Sequence, residues 1–441
     1  MTRALGHIFM TMCTALLACG RASTASSPIG GTSLSVTPTS VGALTGREVS
    51  FTISPAASVV WSVDETSSCG TISNVGVYRA PATVPSSGEC HVSAVSQADA
   101  SERAHATITV LADVVGTWAP ISPPVDYAYV ALSNYGIQGL DGAKADAPKT
   151  LYVGTCLYGV WKSTDGGDTW TQTDDPFTGR NWSLVVDPTD SDVVYTLDGF
   201  GTSGLWKTTD GGASWVHIST KSLAHIEIDP LDHLHLLMTE HSGNYDLWES
   251  LDGGSTWINK GHPWGSHQAF VYFLAQDDGG APSSRFWMAF AEGNGLWRSG
   301  DGGASWTQPS PTLSRSHAGA GMYRAANGAL YAGVNQTIGR STDNGRTWID
   351  LALVGNLPAG HDGYAGMVGD GARIWTMPSN TAVAAHGPYR WVTTPEMGDG
   401  TVWTEYNSQE FADGPFFMIY DRVNRVLYAS QWSTGLWRLR L

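Results

Sequence analysis

The sequence has few charged residues, and basic residues are the scarcer kind. Of the 441 residues 15% are charged, and 24 Lys and Arg stand against 40 Asp and Glu, which gives a net charge of −16. A chain this acidic repels a phosphate backbone, so nucleic acid is not expected as a partner. No run of 18 apolar residues occurs beyond the N-terminus, which argues against a transmembrane helix there. With 52 Gly and 19 Trp, the composition suits neither a coiled coil nor a disordered tail, and a soluble globular chain is expected.

Residues 1–18 have the features of a signal peptide. Arg3 comes first, an apolar stretch follows, and a small residue precedes Cys19. The run Leu-Leu-Ala-Cys at 16–19 resembles the lipobox of bacterial lipoproteins, which implies cleavage before Cys19 and lipidation of its thiol. An ordinary secretory signal is the alternative. Residues 19–31 are rich in Ser, Thr, Ala and Gly and predict a flexible linker. The expected location is the bacterial cell envelope or the extracellular space, with the lipid anchor as the only contact with a membrane.

Five cysteines are present, and three of them lie beyond the predicted lipidation position. In an exported chain, Cys69 and Cys90 are expected to form a disulfide. Cys156 is then the odd thiol, which we interpret as a semi-buried small residue in preference to a reactive or metal-binding one.

Residues 32–112 alternate apolar and polar side chains in short runs, for example at 59–63 and 107–110. Short strands at roughly ten-residue spacing predict a β-sandwich. The stretch 70–81 resembles the bacterial Ig-like domains that accompany extracellular enzymes and adhesins. The resemblance implies a spacer. A ligand-binding module is the alternative, but no aromatic platform stands out beyond Trp61 and Tyr78.

The remainder of the chain repeats a short motif. Residues 163–170 read Ser-Thr-Asp-Gly-Gly-Asp-Thr-Trp, and the pattern Ser/Thr-x-Asp-x-Gly-x-Ser/Thr-Trp returns four more times, at intervals of 42 to 49 residues. A period of this size indicates a propeller or a solenoid. The repeated aspartates are Asp165, Asp210, Asp252, Asp301 and Asp343.

This motif is similar to the Asp-box, or BNR repeat. The resemblance covers five copies in register and implies a β-propeller in which each box is a turn between the third and fourth strands of a blade. Asp-boxes occur in sialidases, in the xyloglucan-degrading hydrolase family, in sorting receptors and in photosystem assembly factors. In these families the turn lies on the face opposite the active site.

The tryptophans that end the motif count the blades. Five copies of the motif end in Trp. Trp391 is interpreted as the end of a sixth copy that has lost most of its motif residues, and the segment around Trp118 matches only the end of the motif. At the other end, Gly435-Leu436-Trp437 repeats the third strand of a blade. The segment around Trp118 is therefore expected to add the fourth strand to the last blade and close the ring. The predicted fold is all-β, with a seven-bladed propeller over residues 113–441 closed by an N-terminal strand, preceded by the small Ig-like β-sandwich.

The Asp-box carboxylates allow a functional and a structural interpretation. They could form a ring of catalytic or calcium-binding groups. Alternatively, each Asp accepts backbone N–H groups across its own turn, the glycines take positive φ, and the Trp packs between sheets. Repetition in five blades favours the structural role, because a single site needs few copies of one residue.

Candidate functional residues lie where inner strands begin and second strands end, at the mouth of the central channel. Four successive blades place a histidine at a nearly equivalent position, and a ring of histidines suits proton transfer, binding of an acidic ligand or metal coordination. The catalytic candidates are His225, His267, His317, His361, Asp198, Glu240, Glu292 and Asp413. The substrate-binding candidates are Arg180, Trp182, Arg315, Asn335, Tyr406 and Trp432. Tyr406 belongs to a segment, 392–412, that is expected to overhang the mouth. No local His/Cys spacing supports a metal site, so no cofactor is expected.

These residues predict a funnel that binds and cleaves an extracellular polysaccharide, and they leave open whether the cleavage is glycoside hydrolysis or β-elimination. The arginine triad of sialidases is not matched. The resemblance to xyloglucan hydrolases lies in Gly-Leu-Trp-Lys/Arg-Ser-x-Asp-Gly-Gly runs, but that family uses two facing propellers, so its catalytic aspartates cannot be transferred. Glycoside hydrolysis needs two carboxylates, whereas β-elimination on a uronate polymer needs a base and a group that neutralises the carboxylate. The expected partner is a polysaccharide or glycan, and a monomer is expected. A non-catalytic binding or assembly propeller is the alternative.

Overall fold

The computed structural model describes residues 33–65, 67–127, 136–174, 180–199, 204–274, 286–314, 321–334, 337–352, 363–379, 387–432 and 434–441. The predicted signal peptide, the linker and Cys19 lie outside these residues. The all-β prediction is confirmed, because the described residues form strands, turns and one short 3-10 helix, Ser67–Cys69. No helix among them is long and apolar enough to cross a membrane.

Nine strands precede residue 112 and form sheets of four, three and two strands, in the orders β2-β9-β8-β5, β3-β7-β6 and β1-β4. Alternate residues of β8 and β9 are buried, and a disulfide joins Cys69 to Cys90 beneath them. These strands are β1 (Ser35–Thr37), β2 (Ser40–Leu44), β3 (Glu48–Ser50), β4 (Thr52–Ser54), β5 (Val59–Val63), β6 (Thr71–Ile72), β7 (Val77–Arg79), β8 (Glu89–Ser96) and β9 (Arg103–Leu111).

The strands after residue 112 form seven four-stranded antiparallel sheets within the described residues. Sheet I contains β11 (Ile137–Gly142), β12 (Leu151–Thr155), β13 (Val160–Ser163) and β14 (Thr171–Gln172). Sheet II contains β15 (Arg180–Val186), β16 (Val194–Gly199), β17 (Gly204–Thr208) and β18 (Val216–Ser219). Sheet III contains β19 (Leu223–Asp229), β20 (Asp232–Glu240), β21 (Leu247–Ser250) and β22 (Ile258–Gly261). Sheet IV contains β23 (Ala269–Leu274), β24 (Phe286–Ala291), β25 (Gly295–Ser299) and β26 (Thr307–Ser310).

The remaining sheets complete the series. Sheet V contains β27 (Met322–Arg324), β28 (Leu330–Val334), β29 (Thr337–Ser341) and β30 (Ile349–Asp350). Sheet VI contains β31 (Gly363–Gly369), β32 (Arg373–Ser379), β33 (Val392–Pro395) and β34 (Thr404–Glu405). Sheet VII contains β35 (Pro415–Asp421), β36 (Val426–Gln431), β37 (Gly435–Arg440) and, from the other end of the chain, β10 (Trp118–Pro120). In the last pairing Trp118 lies opposite Leu439 and Ala119 opposite Arg438.

The first strand of one sheet contacts the first strand of its neighbour, as in a β-propeller. Contacting pairs are β11 with β15, β15 with β19, β19 with β23, β27 with β31, β31 with β35, and β35 with β11. First and second strands are almost wholly buried, as in β15 and β16, whereas fourth strands such as β14 and β30 are exposed. The core therefore lies between the inner strands of neighbouring sheets.

Chain direction gives each sheet two distinct ends. The turn between the first and second strands and the Asp-box turn between the third and fourth strands lie at one end, which we call the Asp-box end. The turn between the second and third strands and the loop into the next sheet lie at the other, which we call the mouth end.

Each Asp-box carboxylate is engaged within its own turn. Oδ1 of Asp252 accepts hydrogen bonds from the Thr256 N–H, at 2.8 Å, and from the Ser250 hydroxyl, at 2.9 Å, while Oδ2 accepts one from the Thr256 hydroxyl, at 2.6 Å. The hydrogen bonds from Thr256 lower the pKa of Asp252 to about 2. The same bonds recur at the other four aspartates. This geometry supports the structural interpretation of the boxes.

The eroded sixth box lies later in the chain than predicted. Trp391 precedes the third strand of sheet VI, and Trp403 is the residue that comes directly before its fourth strand. The Trp403 indole donates to the Gly400 carbonyl at 2.9 Å, as Trp257 donates to Gly254. Residues 392–405 therefore form two strands and a box-like turn that lies at the Asp-box end, and only the connection after residue 405 leads toward the mouth end, so the prediction that segment 392–412 as a whole overhangs the mouth was wrong.

The sheets formed by β1 to β9 pack against sheets VII and I. Leu44 belongs to one buried apolar cluster with Ala119 and Ile121. Arg47 forms an ion pair at 2.6 Å with Asp168 in the first Asp-box turn. A cavity of about 260 Å³ lies along this junction.

Candidate functional site

Four predicted residues lie outside the described part of the chain: His317, His361, Arg315 and Asn335. Of the four histidines predicted for the rim, the structure describes His225 and His267.

His225 is a buried residue of β19 rather than a rim residue. Its ring packs against Phe270 at 4.9 Å and Tyr272 at 5.4 Å, and it is 2% exposed. Burial lowers its pKa to about 3, so the imidazole is neutral. The prediction that His225 is an accessible proton-transfer group was wrong, because its strand position turns it toward the neighbouring sheet instead of the mouth.

His267 lies at the mouth end and has a fixed tautomer. Its Nδ1 lies 2.8 Å from the Glu292 carbonyl oxygen, which can only accept, so Nδ1 carries the hydrogen and Nε2 keeps a lone pair. Both His267 and Glu292 are half-buried, but the Glu292 Oε1 atom itself is buried.

Several predicted side chains are enclosed in the fold. Asp198 and Asp413 are buried, which removes them from the accessible carboxylates that hydrolysis needs. Trp182 and Trp432 are buried in one apolar cluster with Cys156 and are not open stacking platforms. Arg180, the first residue of β15, is also buried.

Tyr406 lies at the end opposite to the one predicted. Its hydroxyl donates to the Gly116 carbonyl at 2.7 Å, and its ring meets the edge of Trp375 at 4.8 Å between centroids. A cavity beside it is lined by Asp370 and Arg425, which belong to turns between first and second strands. Tyr406 therefore does not contribute to the mouth, since it follows the misplaced sixth box.

The mouth end of sheet III carries a connected set of polar side chains, which we call the sheet III network. Glu240 accepts the Trp248 indole N–H at 3.0 Å and the Asp246 N–H at 3.3 Å. Lys221 lies 3.4 Å from Glu240 and 3.8 Å above the centre of the Trp248 ring. Asp246 continues the network, with one oxygen 2.8 Å from His262 Nδ1 and the other accepting the Asn259 amide at 2.7 Å. The members are Lys221, Glu240, Asp246, Trp248, Asn259 and His262.

Sequence reasoning included Glu240 and missed the other members. The sequence repeat does contain a feature that could have indicated these residues. The third strand is entered through a glycine of positive φ at Gly204, Gly295 and Gly435, whereas sheet III has Asp246 at that place. In sheets I, IV and VII the third-strand Trp donates to a backbone carbonyl, as Trp297 does, but Trp248 donates to a carboxylate. A departure from the repeat therefore marks this network.

A second missed residue is Glu227, two positions after His225 on β19. Its carboxylate lies 3.9 Å from His225 Nε2 and is 25% exposed. Burial, with a contribution from the charge of Asp141, raises the pKa of Glu227 to about 8. Asp141 itself is ion-paired with Lys144 at 2.8 Å. Glu227 is therefore an accessible carboxylic acid that keeps its proton at neutral pH.

Potential metal ligands converge at one place within the described residues. Glu65 lies near Cys69 and Cys90 there, and both sulfur atoms belong to the disulfide. A disulfide sulfur is not a thiolate ligand, so this group does not define a metal site.

Comparisons with known proteins identify the fold. A family model described as "Sortilin, neurotensin receptor 3" matches residues 158–267, and a search of curated proteins finds no match. The GH74 xyloglucanase of Xanthomonas campestris superposes with a TM-score of 0.51 at 16% identity, covering 73% of this chain and 53% of that one. The GH74 enzyme of Niastella koreensis gives 0.52 at 17% identity, covering 70% and 53%. YCF48 bound to D1 peptide gives 0.51 at 15% identity, covering 73% and 99%.

These likenesses confirm the β-propeller prediction. The chain spans about half the length of the two GH74 enzymes and nearly all of YCF48. Identities this low show the fold alone, so activity has to be argued from the site.

Proposed function

We propose that this chain is an exported, lipid-anchored protein whose sheets I to VII form one closed seven-bladed propeller behind an Ig-like sandwich, and that the mouth end binds an extracellular polysaccharide. The observation that carries the proposal is the sheet III network. It places an ammonium, an imidazole and an indole at one end of one sheet, and it does not recur in the other described sheets. Sugar sites combine aromatic and hydrogen-bonding groups in this way.

Fold neighbours support a carbohydrate ligand without deciding the chemistry. Two GH74 enzymes share the fold, one of them a xyloglucanase. A scaffold that binds a protein partner is the second candidate, because the YCF48 structure holds a peptide on a propeller that this chain covers almost completely.

A binding screen tests the proposal. The full-length protein is titrated against neutral and uronate-containing polysaccharides by affinity electrophoresis, beside a Lys221→Met variant. Retention of the unaltered protein by at least one polysaccharide, weakened in Lys221→Met, is the expected result. Absence of retention across the panel would favour the protein-binding scaffold, and retention unaffected by Lys221→Met would move the site away from sheet III.

A further inference from the structure

We propose that the sheet III network is a centre for β-elimination on a uronate-containing polysaccharide, in which His262, held by Asp246, takes the proton and Lys221 neutralises the uronate carboxylate. The proposal rests on glycan binding at the mouth end and names the substrate class and the reaction of that site.

The base is defined by the Asp246–His262 pair. Nδ1 of His262 lies 2.8 Å from Asp246 Oδ1, the His262 side chain is 54% exposed, and that of Asp246 is 7% exposed. Burial opposes the charge on Asp246, but hydrogen bonds from His262 and Asn259 outweigh it and lower its pKa. An ionised Asp246 fixes the hydrogen of a neutral imidazole on Nδ1, which leaves the Nε2 lone pair for proton transfer.

Lys221 provides the positive charge that elimination requires. Its side chain is 34% exposed, and its ammonium is held by the Trp248 ring and by Glu240. Glu240 also accepts the Asp246 N–H at 3.3 Å, so one carboxylate connects the base to the ammonium. A uronate carboxylate beside Lys221 would lose much of its negative charge, which makes the proton on the adjacent carbon easier to remove.

The carboxylates predicted for hydrolysis are less suitable. Asp198 and Asp413 are buried, one carboxylate oxygen of Glu292 is buried, and Glu240 already forms an ion pair with Lys221 and accepts hydrogen bonds from Trp248 and Asp246. Hydrolysis by a carboxylate pair needs one free acid and one free base on either side of the sugar. Glu227 supplies an acid, but Asp141, the nearby carboxylate, is committed to Lys144 and to the Val186 N–H.

The step balances without an added oxidant or reductant. His262 Nε2 takes the proton from C5 of the uronate, and the electron pair of that C–H bond becomes the C4=C5 double bond. The C4–O bond breaks with its electron pair on the leaving oxygen, which takes a proton from water, and the hydroxide so formed takes the proton held by His262 Nε2, which restores the base. The products are a new reducing end and an unsaturated uronate.

Matched variants of the full-length protein test the assignment. His233 and Asp187 form the same type of pair at the Asp-box end, at 2.8 Å and with His233 45% exposed, so His233→Ala is the control. Unsaturated uronate is followed by its ultraviolet absorbance and reducing ends by a sugar assay. We expect His262→Ala to lower the elimination rate at least about 100-fold and His233→Ala to leave it unchanged. Asp246→Asn should lower kcat and leave KM unchanged, because the imidazole of His262 is no longer held with its hydrogen on Nδ1, whereas a merely structural role would not separate kcat from KM in this way.

Each other outcome is informative. Should His262→Ala unfold, which its far-ultraviolet circular dichroism would reveal, His262→Asn replaces it. The proposal is overturned if the His262 variants eliminate at the same rate as the unaltered protein. It is also overturned if cleavage gives reducing ends without unsaturated uronate and this cleavage is lost in Glu227→Gln. Polysaccharide retention with no cleavage also overturns it and leaves the proposed function standing, whereas loss of retention itself would count against the proposed function.

Discussion

The two ends of the sheets use similar side chains for different purposes. At the Asp-box end, the aspartate carboxylate of each of five turns accepts hydrogen bonds from a backbone N–H group and from hydroxyl groups of the same turn. At the mouth end of sheet III, one carboxylate is hydrogen-bonded to the exposed imidazole of His262 and another is ion-paired with the half-buried Lys221. The repeated Asp-box turns are therefore part of the scaffold, whereas the sheet III network, which departs from the repeat, forms the surface that we propose binds a ligand.

The His–Asp pairs sharpen this contrast. Asp187–His233 and Asp246–His262 have the same 2.8 Å separation, so the pair alone does not define a site. What differs is the surroundings, since Lys221 and Trp248 are connected to Asp246 through Glu240. The comparison predicts that changes at the Asp-box end alter stability and that changes at the mouth end alter glycan binding.

The largest loss of stability is expected for Glu396→Ala at the Asp-box end. Glu396 is buried and accepts hydrogen bonds from the Tyr323 hydroxyl and from the backbone N–H groups of Ala326 and Gly371. Leaving these donors unpaired should lower the free energy of unfolding by about 4 kcal/mol. Urea denaturation measures the change. Glu410→Ala, which removes a half-exposed partner of Arg390, should change it by no more than about 0.5 kcal/mol.

A pH-dependent loss of stability is expected from His235, between sheets III and IV. Burial opposes its charge, but hydrogen bonds to Asp229 and Glu249 outweigh it and raise its pKa to about 9. Because the folded pKa is above the unfolded value, the stabilisation is complete below pH 6.5 and is lost as pH rises through 9. The loss should amount to about 3 kcal/mol.

Denaturation series at several pH values test this, with His235→Gln as the variant. His235→Gln should flatten the fall of stability between pH 6.5 and 9. Glu227→Gln is the comparison: the raised pKa of Glu227 lowers stability as pH rises from 4.5 to about 8, so this variant should flatten the curve below pH 8 and leave the fall between pH 8 and 9 unchanged. An unchanged slope in His235→Gln would show that His235 is not charged in the folded state.

A smaller loss of stability is expected for Asp165→Ala in the first Asp-box. The carboxylate accepts from Thr169 N, Thr169 Oγ1 and Ser163 Oγ, at 2.9, 2.6 and 2.8 Å. Their loss in a partly exposed turn should cost about 2 kcal/mol. Polysaccharide retention by the folded variant should be unaffected, so reduced retention at equal folding would break the distinction between the two ends.

The repeated turns could be predicted from the sequence because each turn is stabilised by interactions between residues that are close together in the chain. Glycine at positive φ, a bonded Asp and a terminal Trp specify the box turn wherever they occur, so the turns and the all-β fold follow from spacing. The sixth box was misplaced because erosion removed its Asp and left two tryptophans, Trp391 and Trp403, as candidate ends. The sheet III network departs from the repeat among the described sheets, so the burial of His225 and the grouping of Lys221 with His262 depend on packing between distant segments.

The smallest change in stability is expected for Arg47→Ala, at the junction between the sheets of β1 to β9 and the propeller. Arg47→Ala removes the 2.6 Å ion pair with Asp168, but Arg47 is 49% exposed and Asp168 keeps Arg438 at 2.8 Å. The loss should be about 0.5 kcal/mol, whereas Leu44→Ala, in the apolar cluster with Ala119, should cost about 3 kcal/mol. Thermal unfolding of both variants compares them. A larger effect of Arg47→Ala than of Leu44→Ala would mean that charge rather than apolar contact joins the sandwich to the Asp-box end.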